Sequence, residues 1–456
     1  VRNKVALCIL SIAVAQGAMA QTNMPPVQYP PANPTPPVPT QPATQAPAAG
    51  PAQRLTVQDA EALALRNNPQ VSVYRLLAMA SQQVTREVKS NYYPTAYGSV
   101  TAVDANNGSR LAAGFLNNPT LYERFAGGVA LAQLITDFGR TSNLVASAAL
   151  RAKAADMNAV ATAAQIKLAV DQAFYNALQA NAELRVAEQT VSARQVVSDQ
   201  ITALFNNKLR SQLDVSFANA NLSQAKLLLL DAQNNYQAAL SALSEILGSS
   251  AQQQFELVEP DSQLNPPPDT VAQLVDQAFS NRPEIAAQSY EYQASQRFQK
   301  AERDLLLPDI RVLGAVGGVP TGAPQIDNWY GAIGVNVNIP IFNGFLYPAR
   351  SREAALRSQA EQERLRDLKD RIANDVRTSW LNTQTAFSRI SVTQQFVDQT
   401  NLAVDLSQTR YQLGLASIVE LSQAQLQQTE AQIQFAAAKY QYRIAQAVLR
   451  FQIAAP

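Results

Sequence analysis

Two stretches of the chain place a carboxylate three residues after a serine, just beyond a break in a helical pattern. They are Ser211 and Asp214 in LFNNKLRSQLDV, and Ser417 and Glu420 in RYQLGLASIVEL. That spacing is the signature of a capping box, in which serine and acid satisfy the first backbone amides of a new helix, at about 1 kcal/mol each. The same carboxylates, multiplied around a symmetry axis, would instead make an acidic ring that favours cations. Both readings fit, and they are compatible. Gly414 supplies the residue that most readily closes a helix in a left-handed turn. Phe205 precedes the first break as Tyr411 precedes the second.

Little other chemistry is open to this sequence. It has no histidine, and its one cysteine, Cys8, lies near the N-terminus. Histidine bases, Ser-His-Asp triads, thiol nucleophiles and Cys/His zinc sites are therefore excluded, and four methionines are too few for a thioether relay. No cofactor or metal site is expected. The DFG at 137–139 has no catalytic-loop partner, since that loop needs histidine, and GAVGG (314–318) runs into Val319-Pro320 rather than a GK-headed helix. The run EQERLRDLKDR (361–371) reads as a solvated helix face. With a net charge of +1 and no polybasic block, nucleic-acid binding is disfavoured. No paired acidic motif supports a carboxylate hydrolase. The expectation is a protein that is not an enzyme.

At the N-terminus, Arg2 and Lys4 precede an apolar run from Val5 to Val14 and a small-residue AMA at 18–20, the pattern of a cleaved secretory signal peptide over 1–20. Cys8 falls within the apolar run, badly placed to carry lipid after cleavage. Residues 21–54 are proline-rich and read as an extended or disordered spacer. An internal duplication follows, with repeat 1 over 55–248, a second linker over 249–268 containing NPPPD, and repeat 2 over 269–456. Asn67-Asn68-Pro69 answers Asn281-Arg282-Pro283, Pro94 answers Pro308, and Gly139 answers Gly344.

Each repeat reads as helix, two strands, long helix, break, helix. In 328–339, Trp329, Gly331, Ile333, Val335, Val337 and Ile339 alternate with Tyr330, Ala332, Gly334, Asn336 and Asn338. This period of two gives one apolar and one small or polar face, as in a transmembrane β-strand beside water. Stretches 310–319, 96–103 and 125–135 are weaker strand candidates; a soluble sheet is the alternative for all four. Nothing interrupts the helical pattern from Arg140 to Phe205 or from Leu346 to Tyr411, each roughly 100 Å of helix. After each break a 3-4 seam runs with alanine at alternate positions: Val215, Ala218, Leu222, Ala225, Leu229, Ala232, and Leu421, Ala424, Gln428, Ala431, Phe435, Ala438. The breaks are thus tips of antiparallel coiled-coil hairpins. Four strands in lipid could not close a barrel, and an open sheet would leave unpaired edges there, so membrane strands would have to be pooled between copies.

In this arrangement the chain resembles the TolC family of outer-membrane channel proteins over about 55–454. The likeness is carried by NNP and NRP at the repeat starts, YYP and LLP before the strands, IPIFNGF (339–345) with its looser copy LITDFGR (134–140), and RYQLGLASIVELSQAQ at the second tip. The resemblance implies a mixed, mainly α fold. A homotrimer would join a twelve-stranded outer-membrane β-barrel to an α-helical periplasmic barrel. Such channels serve efflux or type I secretion with a periplasmic adaptor (membrane fusion protein) and an inner-membrane transporter.

Carried over residue by residue, Glu420 falls at an acidic pore constriction, and Gln423 where some members have a second aspartate. Asp214 and Tyr411 match a pair that locks the entrance, with Ala416 where an arginine can reinforce it. Lys208, Leu209, Gly414, Leu415, Ala416 and Ser417 match tips that meet the adaptor. The competing class is a periplasmic coiled-coil adaptor without a barrel, which would share the hairpins and signal peptide but has no need of strands such as 328–339.

Overall fold

The computed structural model describes residues 53–106, 122–249, 255–259, 264–268 and 270–455. The expected signal peptide, nearly all of the proline-rich tract and parts of the 249–268 linker lie outside them. The first element is a three-residue strand, β1 (Gln53–Leu55). Thr56 then caps α1 (Val57–Asn67), its side chain accepting from the Asp59 amide at 3.2 Å. Proline at 69 holds Asn68 in an extended conformation, because an αR residue before proline clashes with its ring. The Asn68 side chain accepts from the Gln70 amide at 2.9 Å and starts α2 (Pro69–Lys89). The first helix expected in each repeat is therefore two helices, hinged at X-Pro.

The strands β2 (Thr95–Val103) and β3 (Arg124–Thr136) lead into α3 (Arg140–Asn206) and α4 (Gln212–Ile246). A short β4 (Phe255–Leu257) pairs in parallel with β1. The order then recurs as α5 (Val271–Asn281), α6 (Pro283–Arg303), β5 (Asp309–Gly322), β6 (Trp329–Asn338), α7 (Leu346–Gln412) and α8 (Ile418–Gln452). Sequence periodicity does not reveal β1 and β4, which are too short to show any. They pin part of the 249–268 segment, and Trp380 Nε1 holds it again by donating to the Pro268 carbonyl at 2.6 Å.

The four long strands form one antiparallel sheet in the order β2-β3-β5-β6. Among the described residues both outer strands, β2 and β6, have one free edge. On β6, Trp329, Ile333, Val335 and Val337 are all exposed, Ile333 at 85 %. On its other face the Tyr330 ring lies across Gly317 of the adjacent β5 and Gly128 of β3 beyond it, where a Cβ on either glycine would collide with it. Glycine is needed there for ring-to-backbone contact.

Helices α3 and α7 span 67 residues each. α3 is central, packing on α2, α4, α6 and α8, whereas α7 packs on α5, α6 and α8. Midway along, Val170, Phe174 and Leu178 of α3 meet Ala60, Ala64, Leu243 and Phe255 in one apolar core. Ile372 and Val376 of α7 meet Leu274, Ala278 and Leu449 in its counterpart. A third core joins the two hairpins near their ends, through Ile201, Val215, Tyr411, Ile418 and Leu421. Along the seams Ala218, Ala225, Ala232, Ala431 and Ala438 are buried, which lets paired helices approach closely.

Candidate functional site at the hairpin tips

The chain reverses at each tip through a Schellman turn, which satisfies the last carbonyls of the outgoing helix. In the first, Leu209 N donates to Leu204 O at 2.9 Å and Lys208 N to Phe205 O at 2.8 Å. In the second, Leu415 N donates to Arg410 O at 2.8 Å and Gly414 N to Tyr411 O at 3.1 Å. The left-handed residue is Gly414 (φ 74°) in one and Lys208 (φ 63°) in the other. A lysine thus adopts the backbone that glycine adopts in its repeat-mate. Leu209, Leu413 and Leu415 project from the tips, each more than two-thirds exposed.

The incoming helices start differently. At the first tip the capping box is complete. Ser211 Oγ accepts from Asp214 N at 3.2 Å, and Asp214 Oδ2 accepts from Ser211 N at 2.9 Å. At the second only half forms: Ser417 Oγ accepts from Glu420 N at 3.3 Å, and the Glu420 carboxylate does not return to Ser417. It turns instead to the Arg410 guanidinium at 3.5 Å. This corrects the reading of Ser417–Glu420 as a reciprocal box, because a nearby cation competes for the glutamate. Glu420 and Gln423 both lie exposed on the first turns of α8.

Tyr411 is 5 % exposed, and its hydroxyl has no hydrogen-bond partner among the described residues. Burial first, then the Asp214 carboxylate nearby, raises its pKa. The polar link between the tips comes from Arg210, which the sequence reading does not single out. Its guanidinium sits 4.2 Å from the Tyr411 ring centroid, and Nη2 donates to the Tyr411 carbonyl at 2.5 Å. Arg210 is the repeat-mate of Ala416, so an arginine does stand beside Tyr411, contributed by the other tip. The duplication was the signal that could have found it. Ala416 packs at the margin of the apolar core between the tips. Beside it a cleft of about 490 Å³ opens between the hairpins, lined by Leu204, Leu209, Arg210, Gln408, Tyr411 and Leu413.

Among the described residues no cluster of His, Cys, Asp or Glu could hold a metal ion, and no helix is long and apolar enough to cross a membrane. The tips offer backbone turns, exposed leucines and one carboxylate freed from capping.

Comparison with known proteins gives the same outline. The model of the outer membrane efflux protein family matches residues 44–249 and 274–455. The outer membrane efflux protein BepC of Brucella suis biovar 1 is 22% identical over 405 residues, covering 86% of this chain and 83% of that protein. TolC of Salmonella enteritidis is 23% identical over 265 residues, so the matched part covers 56% of this chain and about half (54%) of that relative. Among solved structures, CusC superposes with a TM-score of 0.76 at 19% identity, covering 91% of this chain and 98% of that one. With both repeats matched by the family model, the chain belongs to the outer membrane efflux protein family.

Proposed function

We propose that the protein is the outer-membrane channel of a tripartite efflux or type I secretion system, a passive exit duct fed by an inner-membrane transporter through a periplasmic adaptor. The observation that carries this reading is the sheet. Among the described residues its four strands leave the outer edges of β2 and β6 unpaired, while β6 exposes Ile333, Val335 and Val337. An open edge is prohibitive in lipid. Three chains joined β2 to β6 would give a closed twelve-stranded barrel with no edges, and exposed Leu227 and Leu230 on α4, with Leu402 and Leu406 on α7, supply apolar helix faces for the same ring. A periplasmic adaptor would have no use for these strands.

In that assembly repeats 55–248 and 269–456 contribute equivalent parts of the wall, after a removed 1–20 signal and a 21–54 spacer. Glu420, with Gln423 one turn on, lines the periplasmic constriction. Arg210 on Tyr411, with Asp214 beside it, holds the two hairpins of a chain together at the entrance. The tips at Lys208, Leu209, Gly414, Leu415, Ala416 and Ser417 face the adaptor.

Crosslinking in detergent is expected to trap trimers from the outer-membrane fraction. Cysteines placed on β2 and β6 should form disulfides between chains. A monomer recovered from the soluble periplasmic fraction would overturn the proposal.

A further inference from the structure

One buried cation in the helical part has no counter-ion among the described residues. Arg194, on α3, is only 8 % exposed. Among the described residues it makes one hydrogen bond, a long one from Nη2 to Thr429 Oγ1 at 3.4 Å, and Thr429 already donates its own proton to the Gln425 carbonyl. No carboxylate among the described residues pairs with the guanidinium. Desolvation lowers its pKa to about 10, a mark of how poorly its charge is compensated. The duplication adds a second argument. The repeat-mate of Arg194 is Thr400, which is buried and satisfies its hydroxyl on the Phe396 carbonyl at 2.9 Å. The fold therefore does not require a charge at this place.

The guanidinium forms part of the floor of a cavity of about 370 Å³ between α4 and α8. The walls are largely apolar, through Ala225 and Leu228 on one helix and Leu426 and Ile433 on the other. Asn221 bridges the two helices by donating to Ser422 Oγ at 2.7 Å, closing the side toward the tips. Glu430, exposed and accepting from Gln434 along its own helix, also lines the cavity, and its negative charge would disfavour a dianion. Apolar walls over a cation that has no ion-pair partner among the described residues form a site for a single negative charge on a hydrocarbon body.

We propose that this cavity binds a monoanionic amphiphile, with its carboxylate or sulfonate on Arg194 and its apolar chain between Leu228 and Ile433. Arg194 lies about 80 Å along α3 from the sheet, well away from any bilayer that the strands could span, so the ligand would be a soluble amphiphile rather than a membrane lipid. The inference goes beyond the channel reading and does not depend on it.

The test is calorimetric titration of the full-length protein, exchanged from detergent into amphipol, with decanoate and with decyltrimethylammonium. Decanoate is expected to saturate at one per chain and to bind at least tenfold more tightly than the cation. Arg194→Gln should abolish that preference, and Leu228→Trp, which fills the cavity and keeps the charge, should abolish decanoate binding. Equal binding of the two amphiphiles, or unchanged decanoate binding in either variant, would overturn the proposal. So would an Arg194→Gln protein whose oligomer dissociates more easily on heating while the wild type takes up no decanoate, since Arg194 would then be an ion-pair partner between subunits. If Arg194→Gln does not fold, Leu228→Trp decides alone.

Discussion

The two hairpin tips have the same turn geometry and use it differently. In the first, Lys208 takes the left-handed position and Asp214 is fully engaged in capping its helix. In the second, Gly414 takes that position, Ser417 caps alone, and Glu420 faces Arg410 at 3.5 Å. The shorter aspartate closes its box, whereas the longer glutamate reaches a cation across the turn. Duplication fixed the backbone and left the carboxylates free to diverge, so one is a structural cap and the other is available to the solvent path. The arginines diverged likewise. Arg210 clamps Tyr411 of the other tip, while its repeat-mate is the small Ala416.

The largest effect expected from altering carboxylates lies outside the tips and has to be separated first. Asp171 on α3 is buried, with one oxygen unpartnered, 3.7 Å from Arg450, and near Glu61 and Lys167. Tyr175 also lies in its electrostatic surroundings, and Arg443 in those of Tyr175. Burial, then the Glu61 charge, pushes its pKa up to about 7, against the pull of Arg450 and Lys167. A raised carboxyl contributes stability that is full below the unfolded value and is lost as pH rises through the folded one. Thermal stability should therefore fall between about pH 4 and pH 7 from this group. Asp171→Asn should flatten that slope in melts followed by circular dichroism.

At the tips, Gly414→Ala should cost about 1–2 kcal/mol, since a Cβ disfavours the left-handed region. Lys208→Gly should stabilise by about 1 kcal/mol, for the same reason in reverse. A destabilising Lys208→Gly would show that the lysine side chain contributes more than its backbone costs. Next in size, Asp214→Asn should lose about 1 kcal/mol of helix capping, whereas Glu420→Gln should change denaturation midpoints by about 0–0.5 kcal/mol, its ion pair being solvent-exposed. Equal losses would erase the distinction between the two carboxylates.

The smallest changes are electrical. In planar bilayers Glu420→Gln should move the reversal potential toward zero, and Arg410→Gln should increase cation preference by unmasking Glu420. In the same recordings Arg210→Ala should raise conductance more than Tyr411→Phe. The phenylalanine keeps the ring and carbonyl that Arg210 uses and removes only a hydroxyl that lacks a partner.

Much of the fold could be read from periodicity, because its elements are long and repetitive. The uninterrupted runs from Arg140 and Leu346 end within one residue of α3 and α7, and the alternation over 328–339 coincides with β6 to within one residue at each end. The paired Asn-Pro and Arg-Pro steps marked the repeat starts, and their effect on the preceding residue explains the hinge after α1 and α5. The contacts at the tips were hidden for a different reason. Arg210 meets Tyr411 only because one hairpin docks on another some two hundred residues away, and no local pattern encodes that approach. The left-handed backbone of Lys208, which the resemblance already placed at a tip, was obscured by its identity, since lysine carries no preference for positive φ; only its alignment with Gly414 could have exposed it. Arg194 gave no signal either, because its burial arises from three helices together.

The length of α3 beyond its central apolar core has a mechanical consequence. That core holds the helix around Val170 and Phe174, and the run from there to Asn206 covers about 54 Å. Over that length α3 is paired with α4, and around Ile201 it is joined to the second hairpin. A tilt of about 5° at the root would carry the joined tips through about 5 Å, with every hydrogen bond inside the helix kept. The residues able to set the width at the far end therefore include the small ones packed at the root, Ala60, Ala64 and Ala173, where a change of one methyl group alters the angle at which the beam leaves its mount.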